Sequence, residues 1–260
     1  MKQVLNLSIV SFCLSAAFCT LPVYAQENHS KHQGQEVQWG YKGPGKPKNW
    51  GKLKDEYRSC DQSKEQSPIH IKTANVTKAA LPALGFDYTA SPAEIVNNGH
   101  TIQVNVNNGG ALKIGADEYK FTQIHFHTPS EEKINGKNYP MVAHFVHKNE
   151  AGKLAVVAVL MKRGLKNDAL APIFSNMPSK KGETAKLETI NVKDILPTEQ
   201  KYYAYMGSLT TPPCSDGVRW QVLKTPIELS FAQLKTFKKL YPKNARPVQP
   251  LNGRSIQMSE

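Results

Sequence analysis

Leu154-Ala155-Val156-Val157-Ala158-Val159-Leu160-Met161 is apolar at every position. Strand side chains alternate between faces, so a strand built from this run needs apolar cover on both sides. A large sheet with a packed layer on each face provides it. The rest of the chain suits such a sheet. Short apolar or alternating runs recur at Glu94-Ile95-Val96, Thr101 to Val106, Leu112-Lys113-Ile114, Tyr119 to His127, Met141 to His147 and Val218 to Leu223. Asn97-Asn98-Gly99, Asn107 to Gly110 and Asn135-Gly136 supply turns between them. Helices are few. One begins at Ser230, a good N-cap, with Phe231, Leu234, Phe237 and Tyr241 on one face; a second spans Asp168 to Asn176. The expected fold is α+β and mainly β: a single domain on a large mixed, twisted sheet with peripheral helices.

The start of the chain stands outside that fold. Met1-Lys2 is basic, Val4 to Leu21 is largely apolar without acidic residues, and Val23-Tyr24-Ala25 ends in the small residues that direct cleavage. Residues 1–25 therefore read as a secretory signal peptide, too short in its apolar run for stable membrane insertion. Residues 26–38 are polar and form a flexible lead-in, and 39–260 form the domain. A periplasmic or secreted location follows. Cys13 and Cys19 leave with the leader, and in an oxidising compartment Cys60 and Cys214 most simply pair, the alternative being two separate buried thiols. Such a bond would contribute on the order of 4–5 kcal/mol in the chain-entropy model. The formal charge is +12, but the lysines are scattered and not interleaved with aromatics. That excludes a nucleic-acid interface as the organising feature.

Chemistry concentrates in Gln123-Ile124-His125-Phe126-His127. On a strand, His125 and His127 face one way and Ile124 and Phe126 the other. Two imidazoles about 7 Å apart along one face can converge on a single metal ion. Met141 to His147 offers a third nitrogen from a neighbouring strand, as His144 or as His147. Their odd spacing puts them on opposite faces. His144 shares its face with Val142 and Val146 and is taken as the ligand, leaving His147 as a structural histidine. Three histidines with an open fourth position describe a catalytic zinc site. The spacing by itself leaves a hydrogen-bonded core pair equally open.

Further along comes Gly207-Ser208-Leu209-Thr210-Thr211-Pro212-Pro213-Cys214. With Ser130-Glu131, Trp39-Gly40-Tyr41, Gln66-Ser67-Pro68-Ile69, Asn97-Asn98-Gly99-His100 and Arg246-Pro247-x-Gln249-Pro250, it follows the two histidine blocks in an ordered set that resembles the α-carbonic anhydrases from Trp39 to about Gln257. The resemblance implies that fold, one zinc ion per chain on His125, His127 and His144, and reversible hydration of carbon dioxide to bicarbonate by zinc-bound hydroxide. A weak esterase side activity would accompany it. Thr210 and Glu131 then act as a hydrogen-bonded gatekeeper pair, and His100 as the proton shuttle. Val146, Val156, Leu209 and Trp220 line the carbon dioxide wall, with Thr211 beside it. Tyr41, Asn98 and Gln103 hold the water chain, and Gln123 orients His125. A homodimer is left open as the assembly.

Three departures stand against the family pattern: Val142 where a glutamate often precedes the third ligand, Glu132 in place of a histidine, and Met206 in place of a proline. Only Val142 is expected to touch the metal chemistry, since valine cannot take a proton from the free nitrogen of His144. The rival from another class is a non-catalytic binding or adhesion module on the same fold. Such relatives lack ligand histidines, whereas this chain has all three. A zinc peptidase is a weaker rival still, since no H-E-x-x-H is present.

Overall fold

Runs joined by short polar turns pair with their neighbours as antiparallel ladders, and the chain builds most of its sheet that way. The computed structural model describes Gln38–Glu260, so the expected leader, and the lead-in apart from Gln38, lie outside the described residues. Within them, 13 strands form one mixed sheet. Its path runs Thr184–Ile190, Ser91–Asn97, Ile102–Val106, Asp117–His127, Met141–Lys148, Leu154–Arg163, Asp216–Leu223, Tyr202–Ser208, Gln257–Ser259 and Thr77–Ala79. Two neighbouring pairs on that path are parallel: Leu154–Arg163 with Asp216–Leu223, and Gln257–Ser259 with Thr77–Ala79.

The doubly apolar run is central, and Ala155 to Met161 are all buried. Its alternate side chains feed two different apolar layers. Val157 and Val159 join Ile124, Phe126, Phe145 and Phe237 on one face. Val156, Ala158 and Leu160 join Ile69, Val142, Val146 and Trp220 on the other. Each fully buried aliphatic or aromatic side chain contributes about 1.5–3 kcal/mol, so a strand with both faces covered anchors the fold. His147 belongs to the first face. A bulge after Val146 seats it opposite Phe121, where its Nε2 meets the Tyr88 hydroxyl at 2.6 Å and its Nδ1 faces the Ala155 carbonyl at 3.2 Å. Burial pushes its pKa down to about 3, so it packs as a neutral ring.

Both expected helices form, with corrected detail. Phe231–Leu240 carries a full capping box between Ser230 and Gln233, and Leu234 and Phe237 are buried. Phe231, assigned to that face, is instead 61% exposed and lies against the Arg163 guanidinium. As the first helical residue it precedes the turn that contacts the sheet. The second helix is shorter than expected, Ala171–Ser175, because Pro172 is tolerated only in a first turn. No helix among the described residues is long and apolar enough to cross a membrane.

Cys60 and Cys214 are bonded and buried, and they form a small cluster with Trp50, backed by Trp39 and Tyr41. The bond links residues 154 apart, tying the N-terminal turns to the loop that follows Thr210.

Candidate metal centre

Register decides which side chains meet. His125 pairs with His144 on one side and with Gln103 on the other, and His127 pairs with Val142. Directly opposed residues of a sheet share a face. The three histidines therefore converge above the face carrying Val146, Val156 and Trp220, while Ile124, Phe126, Ala143 and Phe145 enter the opposite layer. The imidazole centroids lie 4.8, 5.0 and 5.3 Å apart, and one ligand atom from each ring falls within 4.8 Å of the others. His147 points away, as its face requires.

Each ring has one nitrogen engaged away from this point. His125 Nδ1 meets Gln123 Oε1 at 3.0 Å, His127 Nδ1 donates to the Asn244 carbonyl at 2.7 Å, and His144 Nε2 meets Glu132 Oε1 at 3.1 Å. With those nitrogens carrying the hydrogens, His125 Nε2, His127 Nε2 and His144 Nδ1 keep lone pairs directed at a common point. His127 Nε2 and His144 Nδ1 are buried with no hydrogen-bond partner. Orphaned buried acceptors are costly, and these two, with the ligand atom of His125 within 4.8 Å of both, fit a zinc ion. Burial, aided by the nearby His144, pushes His125 down to about 3 and His127 well below the ordinary range. Both rings are thus neutral at pH 7, as metal ligation needs. For His144, burial also lowers the pKa, but the charges of Glu132 and Glu131 outweigh it and raise the result. His125 is half-buried, so solvent reaches the cluster from its side.

Glu131 closes the next shell. Its Oε1 accepts from the Arg246 backbone N–H at 2.7 Å, and its Oε2 lies 3.6 Å from His127 Nε2 and 3.9 Å from His144 Nδ1. Burial pushes this carboxyl up to about 7, opposed by His144, by a hydrogen bond from Thr210 and by Arg246. The Thr210 contact is looser than an ordinary hydrogen bond, because Oε2 has no partner at normal geometry. Thr210 arrives there through Tyr202–Ser208, whose Gly207 has no room for a side chain: a Cβ would strike Ser67 Oγ and crowd Trp220. The Trp220 indole donates to the Ser208 carbonyl at 3.0 Å. Val146, Val156 and Trp220 occupy one cross-strand row, with Leu209 packed against them and Thr211 half-buried beside Thr210.

The solvent side is less tightly built. Asn98 caps a turn by accepting from the backbone N–H groups of His100 and Thr101, and it approaches Gln103 at 3.4 Å. Tyr41 stands among Trp39, Trp50 and Arg246. The His100 ring stacks on Trp39 with centroids 3.5 Å apart. Burial, together with the Lys181 charge, lowers His100 to about 4 in this pose. That lies below the near-neutral range in which an imidazole shuttles protons.

One expectation is overturned. Glu132, set aside as irrelevant to the metal, is fully buried and holds the nitrogen that Val142 cannot. Asn244 and Arg246 also serve the site, with no local sequence signal to mark them. Asn244 accepts from His127 through its carbonyl, and its side chain braces Thr128, Phe126 and the His100 carbonyl. A backbone acceptor 117 residues from its donor leaves no local trace in sequence.

The family model for eukaryotic-type carbonic anhydrases matches residues 45–260. A carbonic anhydrase of Pectobacterium carotovorum is 42% identical over 222 residues, 85% of this chain and 90% of its own. The α-carbonic anhydrase of Thermovibrio ammonificans, solved with the inhibitor sulfanilamide, is 43% identical, with a TM-score of 0.83 over 85% of this chain and 98% of that one. Dioscorin dioA3 of Dioscorea japonica is 36% identical over 225 residues, 82% of each chain. With the family model spanning nearly all the described residues and relatives above 40% identity over most of both chains, this chain belongs to the α-carbonic anhydrases.

Proposed function

We propose that this protein is an exported zinc enzyme that interconverts carbon dioxide and bicarbonate. The observation that carries the reading is the convergence of three imidazole lone pairs, each ring steadied by a partner on its far nitrogen. Family membership leaves the activity to be argued from the site, since a relative of similar overlap bears the name dioscorin. A binding module has no need of a complete ligand set beside a buried threonine–glutamate pair. Export is supported by the Cys60–Cys214 bond, which persists in oxidising compartments.

Zinc held by His125, His127 and His144 would supply a nucleophile near neutral pH by acidifying water to a pKa of about 7, a value characteristic of this family. The chain's own residues do the rest. Carbon dioxide is small and apolar, so a wall of Val146, Val156, Leu209 and Trp220 can hold it without a polar grip. Thr210 has one hydroxyl hydrogen, and Glu131 draws it. Its oxygen is then only an acceptor toward the site. A proton-bearing nucleophile must give its hydrogen to Thr210, which leaves its lone pair aimed at the substrate. The product proton leaves by way of His100, which must unstack from Trp39 to regain a near-neutral pKa.

Carbon dioxide hydration, followed with metal content before and after chelation, tests the function. Activity should track zinc, vanish on chelation and return on zinc addition; zinc-loaded protein without hydration would refute it. Sulfanilamide, the inhibitor bound by the Thermovibrio ammonificans relative, should inhibit here too. A second expectation concerns His100→Ala. Turnover should fall by about 10-fold or more in dilute bulky buffer, the scale of a lost proton-transfer group, and imidazole should restore much of it. No rescue by small buffers in a folded variant would remove His100 from proton transfer.

A further inference from the structure

The geometry points to Glu132 as the residue that positions His144 on the metal, a task moved from strand position 142 to the loop beside Glu131. The inference rests on the zinc reading above. Val142 is fully buried among Ile69, Ile71, Ala158 and Leu160, and has no atom to offer His144. Glu132 has no exposed surface either, and its Oε1 lies 3.1 Å from His144 Nε2. Its Oε2 has no hydrogen-bond partner. His144 is therefore what this carboxylate is placed to meet. The loop is pinned to suit. Ser130 Oγ donates to the Glu132 carbonyl at 2.8 Å and accepts from Tyr139 N–H at 2.9 Å, while Asn138 donates to the Ser130 carbonyl at 2.6 Å. Glu131 and Glu132 thus address His144 from its two sides, the first near Nδ1 and the second at Nε2.

A carboxylate that accepts the far N–H of a ligating imidazole fixes ring orientation and strengthens the ligand, and losing one typically costs about 10–100-fold in metal affinity or activity. A buried carboxylate with one oxygen unpaired is otherwise a burden on the fold. Glu132 should accordingly help the metal-loaded protein and not the metal-free one. Zinc release to a chelator, measured beside melting temperatures of both forms, tests this. Glu132→Gln keeps an acceptor and loses the charge; Glu132→Leu loses both. Zinc release should quicken about 10-fold in Gln and toward 100-fold in Leu, with the metal-free melting temperature unchanged or raised. Val142→Glu should not slow release, because His144 Nε2 is already taken. Wild-type release rates in Glu132→Gln, or equal melting losses with and without metal, would overturn the assignment. Should Leu fail to fold, Gln decides. Failure of the zinc reading would look different, since wild-type protein would then hold no zinc.

Discussion

His144→Ala should fold, lose its zinc on dialysis and show carbon dioxide hydration at background. Zinc bound by protein ligands is worth roughly 10–16 kcal/mol in sites studied as peptides. Removing one of three ligands forfeits on the order of a third of that, or about 10³-fold in affinity at 1.4 kcal/mol per tenfold. The substitution also strands Glu132, whose hydrogen bond to His144 is lost. The control is His147→Ala, three residues further along the same strand and on its other face. It should keep stoichiometric zinc and the hydration rate. Its cost should appear in stability, because it leaves the Tyr88 hydroxyl without its 2.6 Å partner in a buried site. An unsatisfied buried donor costs about 1–3 kcal/mol, with a cavity term in addition. Zinc-to-protein ratios after dialysis, beside melting temperatures, separate the two. A His144→Ala protein that retains one zinc per chain would show that the centre is built otherwise.

The sheet and the histidine cluster were legible because both depend on alternation. Two-residue periodicity assigned His125 and His127 to one face and His144 and His147 to opposite faces, and the register of three adjacent strands then made the chosen rings converge. Leu154 to Met161 declared its central place because nothing but burial on both faces accommodates it. Strands at the sheet's margins gave weaker signals. In Thr184–Ile190 only Leu187 and Ile190 are buried, so the run reads as a solvated segment. Tyr202–Ser208 carries tyrosines and a glycine where an aliphatic run would announce a strand, and its glycine answers to the neighbouring Ser67 and Trp220.

What local pattern could not reveal were partners brought in by long-range folding. Asn244 and Arg246 lie more than 110 residues beyond the groups they hold, His127 and Glu131, and contribute backbone atoms that any residue possesses. Glu132 is a different case. Its side chain was visible, and so was the absence of a carboxylate at position 142. Position 142 lies next to Leu160 and opposite His127 in the sheet, whereas position 132 approaches His144 from outside the sheet. Linking the two departures required the path of the loop from Pro129 to Tyr139, which hydrogen bonds of Ser130 and Asn138 define.

Thr210→Ala should leave zinc in place and reduce kcat/KM by about 100-fold, the scale on which removal of one oriented hydrogen-bonding group acts in a water-excluded site, or roughly 2.7 kcal/mol of transition-state stabilisation. Thr210→Ser, which keeps the hydroxyl, should lose far less. The mechanism claims more than the presence of a hydroxyl, since it requires the hydroxyl to point its hydrogen at Glu131. Glu131→Gln tests that direction. The Arg246 backbone N–H, 2.7 Å from Oε1, demands an oxygen at that position. A glutamine must then turn its amide nitrogen toward Thr210, which becomes the acceptor there and offers its own hydrogen to the site. The nucleophile would face a donor where it needs an acceptor. Glu131→Gln should therefore be as slow as Thr210→Ala, and the double variant should be little slower than either, because both break one unit. Zinc content must be measured alongside, since Glu131 also lies within 4 Å of two ligand nitrogens. Additive losses in the double variant, or near wild-type kcat/KM in zinc-replete Glu131→Gln, would show that Thr210 works without the polarity that Glu131 imposes.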